Sequence, residues 1–503
     1  MRYIIHCYRV LSGNYERMVA MHTDFTKQYI NGSWVSGSSS KTIENTNPYN
    51  GESLGTIASA DANDLDRAYQ SANDYQKTWD AHSPAEKQQY LHRLYDVMQN
   101  QKETIVEWLI KESGSSRLKA ETEFNTASNI VFESTSFPNR VHGSTAPSNT
   151  PGKENYTFRS GKGVIGVIGP WNFPFHLAMR TIAPAVATGN TVVVKPASDT
   201  PVTSGLLIAA LFEEAGFPAG VIHVTAGRGS EIGDAFVTHE VPALLSFTGS
   251  TEVGTHIAEL AAKNLKETAL ELGGNNAMVV LQDAEVKKAA KAAVFGSFLH
   301  QGQICLALNR VIVHDDIYDE FVEEFTRVAK TLKAGDPSDE NVIVGPIINE
   351  EQVKNIEKLV QGTIDAGAKL QTEFEINGQV IPPVVLSEVT NDMPAAKDEV
   401  FGPVATLIRA SSEDEAIRIA NDSPYGLSGS VFTQDRYRGM QAARRINSGM
   451  VHVNDQSVND EAHLPFGGEK QSGIGRFNGE WVLDEFTTEQ WISVQAQDRP
   501  YPL

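Results

Sequence analysis

From Gly163 onward the chain alternates short apolar runs with longer segments that are apolar on one side only. Val164–Ile168, Val192–Val194, Val221–Val224 and Leu244–Phe247 have the length and β-branched content of buried strands. Between them, Thr203–Ala215, closed by Gly216, and Ser250–Lys263 carry helical spacing. Continuous apolar strands separated by amphipathic helices predict a mostly parallel sheet with helices on both faces. A second series follows: strands at Ala277–Leu281, Val311–Val313, Val404–Ile408, Ser428–Phe432 and Val451–Val453. Helices at Ile317–Leu332, Glu351–Ala366 and Glu413–Asn421 separate them. The pattern predicts an α/β fold in two halves that divide near Glu271. Upstream, Ser83-Pro84-Ala85-Glu86 is a capping box with proline at N1, and Leu91, Leu94, Tyr95 and Met98 then form one apolar stripe. The alternating run Trp491–Gln495 predicts a terminal strand, which is expected to pair with another subunit rather than close its own sheet.

Length supports the division: 503 residues exceed what one compact core holds. A composition 41% hydrophobic and 21% charged is ordinary for a globular protein. The formal charge of −21 repels phosphate backbones, so no nucleic-acid partner is expected. No apolar run approaches the roughly 18 residues of a membrane helix, so no membrane partner is expected either. The two cysteines, Cys7 and Cys305, are too few and too far apart for a disulfide framework or a metal cluster. They point to a reducing cytoplasm with at least one thiol kept for chemistry. Residues 1–20 lack a long apolar stretch and a cleavage site. With Met21 as an ordinary start, they are expected to be a non-core extension from an over-early start assignment.

Cys305 lies in Gly302-Gln303-Ile304-Cys305 after an apolar, helix-like run. A lone cysteine is more often a buried small hydrophobe than a nucleophile, and catalysis depends on its ionisation. Glu271 stands between two leucines and before Gly273-Gly274. Partial desolvation there would raise its pKa toward that of a general base, whereas a surface-facing glutamate at a strand end fits the sequence equally. The glycines let backbone pass close to another group. Asn172, in Pro170-Trp171-Asn172-Phe173-Pro174, follows a predicted strand, where its amide can donate to a developing oxyanion or close an Asx-turn. Lys195 ends the next strand, and Gly249-Ser250-Thr251-Glu252-Val253-Gly254 opens a helix, a plausible phosphate site that is weak in isolation.

These segments occur together with Lys195-Pro196-Ala197-Ser198, Glu399-Val400-Phe401-Gly402-Pro403 and Pro465-Phe466-Gly467-Gly468. Glu271 precedes Cys305 by 34 residues and Asn172 precedes it by 133. In order and spacing the chain resembles the aldehyde dehydrogenase superfamily from about residue 27 to its C-terminus. The resemblance implies a Rossmann-like NAD(P)-binding domain (21–139 and 158–270), an α/β catalytic domain (271–470) and a small β oligomerisation arm (140–157 and 484–503). It implies a homodimer or homotetramer that oxidises a small-molecule aldehyde. Cys305 would attack the aldehyde carbon, Asn172 and the Cys305 N–H would hold the oxyanion, and Glu271 would activate the water that hydrolyses the thioester. Lys195 and Glu399 would bind ribose hydroxyls, and Trp171 and Phe401 would shape the cofactor pocket. Gly229, Gly249, Ser250, Thr251 and Gly254 would also lie on the cofactor, and no metal is needed. Ser198 stands where many relatives carry a glutamate on the adenine ribose. Serine does not repel a 2′-phosphate, so use of both NAD and NADP is expected.

Phe173–Arg180, Phe298–Gln303, Asn454–Glu461 and Trp491–Gln495 most resemble the benzaldehyde, vanillin and salicylaldehyde dehydrogenase branch. A flat aromatic aldehyde needs an apolar slot, for which Phe173, Met179 and Phe466 are candidates, although such residues equally pack loops. Arg180 supports a semialdehyde alternative by gripping a substrate carboxylate, unless it pairs with a neighbouring acid. Three rivals come from other classes. An acylating, coenzyme-A-dependent enzyme has no need of Glu271. A binding or structural protein on this fold has no need of Asn172, Glu271 and Cys305 together. A cysteine hydrolase needs a histidine partner, for which His300 is the candidate.

Overall fold

The structure is a computed structural model describing residues 21–502. The expectation for residues 1–20, Cys7 included, lies outside the described residues. Two sheets organise the fold. The first has eight strands, in the order Ser33–Val35, Gln28–Ile30, Ile222–Val224, Thr191–Lys195, Val164–Ile168, Leu244–Thr248, Glu267–Glu271 and Gly473–Ile474. Its five central strands are parallel, and their burial on both faces explains why they read as unbroken apolar runs. The chain runs one way from Val164–Ile168 through Thr191–Lys195 to Ile222–Val224, then returns to the other side as Leu244–Thr248. The order reverses at Val164–Ile168, and a crevice opens at the carboxyl ends of such strands. The segment Gly169–Phe173 stands at that point.

The second sheet has seven strands, centred on Val404–Ala410, Leu308–His314, Asn276–Val280 and Gly429–Phe432, all parallel to their neighbours. The first sheet's last parallel strand ends at Glu271 and the second sheet begins at Asn276, so Leu272–Asn275 bridges the two. Helices Pro84–Asn100 and Arg117–Ser134 pack on the first half, with Leu91, Leu94 and Met98 fully buried and the Ser83 capping box formed. The following helix, Pro174–Ala187, is buried along its whole length.

The C-terminal strand departs from expectation. Thr487–Gln495 pairs antiparallel with Lys153–Gly161 of the same chain, and Ser144–Ala146 adds a third strand. The ladder on one edge is therefore satisfied internally. What remains open is the free edge and an apolar surface: Phe158, Trp491, Ile492 and Val494 are all exposed. Among the described residues no helix is long and apolar enough to cross a membrane.

Candidate active site

A cavity of about 780 Å³ opens at the sheet's switch point and runs between the two halves. Trp171, Asn172, Lys195, Ser198, Gly229, Gly249, Ser250, Glu271, Cys305, Glu399 and Phe401 all line it. Residues more than a hundred positions apart thus share one wall.

Cys305 follows a tight turn. His300, Gln301 and Gly302 adopt consecutive left-handed conformations, with φ of 49°, 49° and 68°. For His300 and Gln301 this costs about 1–2 kcal/mol each, so the surroundings must hold it. The Gln301 amide donates to the Pro346 carbonyl at 2.7 Å and accepts the Gly345 N–H at 2.9 Å. Beyond the turn, Asn276 Nδ2 donates to the Cys305 and Ala307 carbonyls at 2.7 and 2.8 Å. Gly273 and Gly274 make the close approaches that their spacing implied. A Cβ at Gly274 would lie 2.3 Å from the Cys305 carbonyl, and one at Gly273 would lie 2.4 Å from Glu399 Oε2.

Glu271 is buried, only 2% exposed, so it is not the surface-facing glutamate that its strand-end position also allowed. Neither carboxylate oxygen has a hydrogen-bond partner. Burial pushes its pKa up to about 7, opposed first by the Arg180 guanidinium, whose Nη2 is 4.0 Å from Oε2. Burial likewise pushes the half-buried Cys305 thiol up to about 12. The site holds a protonated thiol beside a carboxylate poised to take up and release protons near neutrality. Asn172 Nδ2 donates to the Gln303 carbonyl at 3.0 Å, and an amide nitrogen has a second N–H for the cavity.

The cofactor side presents groups without sufficient partners. Lys195 Nζ is buried and reaches only the Pro196 carbonyl at 3.4 Å, and burial pulls its pKa down to about 8. Glu399 accepts one N–H, from Gly274 at 2.9 Å, and burial raises its pKa to about 7. One donor and one acceptor facing the same cavity fit the hydroxyls of a ribose. Helix Thr251–Ala262, capped by Ser250, points its N-terminus toward the same space, which suits a pyrophosphate. Trp171 and Phe401 meet edge to face at 5.3 Å, and Phe401 is held at a φ of 51°. The donor set and cavity fit a nicotinamide dinucleotide.

Not every expected residue joins the cavity. Gly254 packs behind it: a Cβ there would meet the Leu272 side chain at 2.3 Å, so helix-to-strand contact explains that glycine. Gly249 lines the cavity, but what excludes a side chain there is the Phe247 ring, 2.3 Å from a Cβ. Thr251 Oγ1 donates to the Gln471 carbonyl at 3.3 Å. Phe173, Met179, Arg180 and Phe466 are buried around the site and do not line this cavity. Arg180 is committed: it lies 3.9 Å over the Phe466 ring and 3.5 Å from Asp460 Oδ2, in addition to Glu271. Asp460 is fixed in turn by Asn478 Nδ2 at 2.6 Å and faces His176 Nε2 at 3.2 Å. An arginine held by Asp460 and the Phe466 ring, and outside the cavity, is not placed to grip a substrate carboxylate, which weighs against the semialdehyde alternative. His300 is fully buried, its imidazole held neutral by burial and then by the nearby Lys119 ammonium, and its only polar approach is to the Asn172 backbone. It is no partner for the thiol, which disposes of the cysteine-hydrolase rival.

The motifs give no sign of Asp199, which lines the cavity beside Ser198 and brings a carboxyl group, its pKa raised by burial, where Ser198 has none. Nor do they point to Lys119 and Glu123, buried behind Asn172, since nothing near them in sequence marks a site.

Known proteins converge on the same assignment. Residues 34–492 match the model of the aldehyde dehydrogenase family. A vanillin dehydrogenase of Corynebacterium glutamicum is 51% identical over 94% of this chain and 98% of its own length. The crystal structure of an NAD-dependent benzaldehyde dehydrogenase from the same organism superposes with a TM-score of 0.87 at 48% identity, covering 94% of this chain and 97% of that one. A salicylaldehyde dehydrogenase from Pseudomonas putida G7, crystallised with salicylaldehyde, gives a TM-score of 0.92 at 39% identity, covering 95% and 99%. With the motifs, the cavity they line and this similarity in agreement, the chain belongs to the aldehyde dehydrogenase family.

Proposed function

We propose that this enzyme oxidises aromatic aldehydes of the vanillin and benzaldehyde type to their carboxylic acids, using NAD and, less efficiently, NADP. The observation that carries the reading is a buried, unpartnered Glu271 on the same cavity wall as Cys305 and Asn172. Similarity to vanillin, benzaldehyde and salicylaldehyde dehydrogenases supports the substrate class.

Cys305 Sγ bonds to the aldehyde carbon. With the thiol pushed up to about 12, its proton leaves as attack proceeds, and Glu271 is the carboxylate on the same cavity available to take it. The Asn172 amide and the Cys305 backbone N–H hold the oxyanion of the thiohemiacetal. NAD held by Lys195 and Glu399 would supply the hydride acceptor, and loss of hydride from the former aldehyde carbon leaves a thioester on Cys305. Glu271 releases the thiol's proton to solvent, then draws a proton from the water that attacks the thioester and returns it to the departing Cys305 sulfur, releasing the acid and regenerating the thiol. Lys195 and Glu399 would hold the ribose hydroxyls throughout, and the exposed Trp491 and Ile492 face joins subunits into a homodimer or homotetramer.

A panel of vanillin, benzaldehyde, succinic semialdehyde and a medium-chain aliphatic aldehyde tests the substrate class. The aromatic aldehydes are expected to exceed succinic semialdehyde by at least about tenfold in kcat/KM, because a carboxylate brought near Asp460 and Glu271 meets like charge. Best turnover on the semialdehyde would overturn the reading. With Ser198 at the adenine-ribose position but Asp199 beside it, kcat/KM for NAD is expected to exceed that for NADP by between about threefold and a thousandfold. A preference for NAD above about a thousandfold would contradict dual use.

A further inference from the structure

Asn172 sits between a strand and a helix whose first turn has no cap of its own. The preceding Phe173 is apolar and makes no capping bond, and Pro174 has no N–H to offer. The next two donors, Phe175 N–H and His176 N–H, are both accepted by Glu123 Oε1, at 2.9 and 3.1 Å. Glu123 belongs to a different helix, Arg117–Ser134, so a carboxylate from outside supplies the missing cap. Its other oxygen accepts Lys119 Nζ at 2.6 Å, one helical turn away. Lys119 in turn donates to the Asn172 backbone carbonyl at 2.7 Å and to Ser115 Oγ at 2.9 Å.

An ammonium has three N–H donors, and here each has its acceptor. The same Nζ lies 4.2 Å over the Phe173 ring. Both side chains are 0% exposed. A fully buried ion pair is weak evidence for stability, because desolvation offsets the attraction between the charges. Its bonds point elsewhere: apart from the one to Ser115, every side-chain hydrogen bond it makes outside the pair goes to the segment Asn172–His176.

We propose that Lys119 and Glu123 are a positioning pair that clamps the Asn172 loop from two sides, holding the amide where the oxyanion develops. This rests on the reading of Asn172 as the oxyanion donor. Lys119 fixes the backbone at Asn172 itself, Glu123 fixes the helix start just after it, and the ion pair couples the two. Neither residue lines the cavity, so both act through Asn172.

The test is a double-mutant cycle read on the single-turnover rate of NADH formation with vanillin. The clamp is removed by Lys119→Met combined with Glu123→Gln, which leaves no unpaired buried charge and keeps an acceptor for Phe175 and His176. Asn172→Ala alone is expected to lower the rate by about 10²–10³-fold. Clamp removal alone is expected to lower it by on the order of 10²-fold, with KM for NAD changed less than about threefold. In the Asn172→Ala background, clamp removal is expected to cost less than about threefold further. Lys119→Arg with Glu123 intact is expected to restore most of the rate lost in Lys119→Met. If clamp removal costs as much in the Asn172→Ala background as in the native enzyme, the pair acts elsewhere and the inference fails. An unchanged rate in Asn172→Ala would overturn the oxyanion reading and the clamp with it.

Discussion

Replacing Cys305 with alanine is expected to abolish aldehyde-dependent NADH formation, lowering kcat by at least about 10⁴-fold while NAD still binds. The size follows from what the thiol does. It makes the bond from which hydride leaves, and among the described residues no other thiol is present to replace it. The loop should survive the change, because Asn276 grips its backbone and not the side chain. Isothermal titration with NAD checks that the cofactor site remains. Retention of more than about a hundredth of native kcat would exclude Cys305 as the nucleophile.

Glu271→Gln is expected to separate the two half-reactions. Thioester formation should persist at a reduced rate, whereas hydrolysis should slow by about 10²–10⁴-fold, the range a positioned general base contributes. Stopped-flow absorbance should therefore show a burst approaching one equivalent of NADH per site, followed by a nearly flat steady state. The pH dependence follows from the same group. Burial pushes Glu271 up to about 7, and only its ionised form accepts a proton from water. In the native enzyme, the rate of deacylation should rise with pH through a midpoint near 7 and fall away below it. That limb should vanish in Glu271→Gln. A variant that loses burst and steady state in equal measure would assign Glu271 to the first step alone.

Much of this site is legible in the chain because its signals are local. Gly273 and Gly274 mark a close approach, and the structure supplies what approaches: the Glu399 carboxylate and the Cys305 carbonyl. The apolar runs of the parallel strands and the Ser83 capping box fall where their spacing places them. What depends on distant partners is not legible. Arg180 reads as a candidate carboxylate grip until Asp460, 280 residues away, occupies it. Lys119 and Glu123 carry no motif, yet they are buried against a loop that begins 53 residues after Lys119. The terminal strand shows its alternation but not its partner, because Lys153–Gly161 carries no local mark of pairing with it. Ionisation is partly legible: the leucines and glycines around Glu271 suggest its raised pKa, whereas nothing beside Cys305 shows that burial raises the thiol as well.

The covalent intermediate itself offers the most direct test. Glu271→Gln enzyme is mixed with NAD and vanillin, quenched in acid during the burst, digested and analysed by mass spectrometry. One vanilloyl group is expected on the peptide containing Cys305, in proportion to the NADH formed. An NADH burst with an unmodified Cys305 peptide, or an acyl group on any other residue, would contradict the thioester on Cys305.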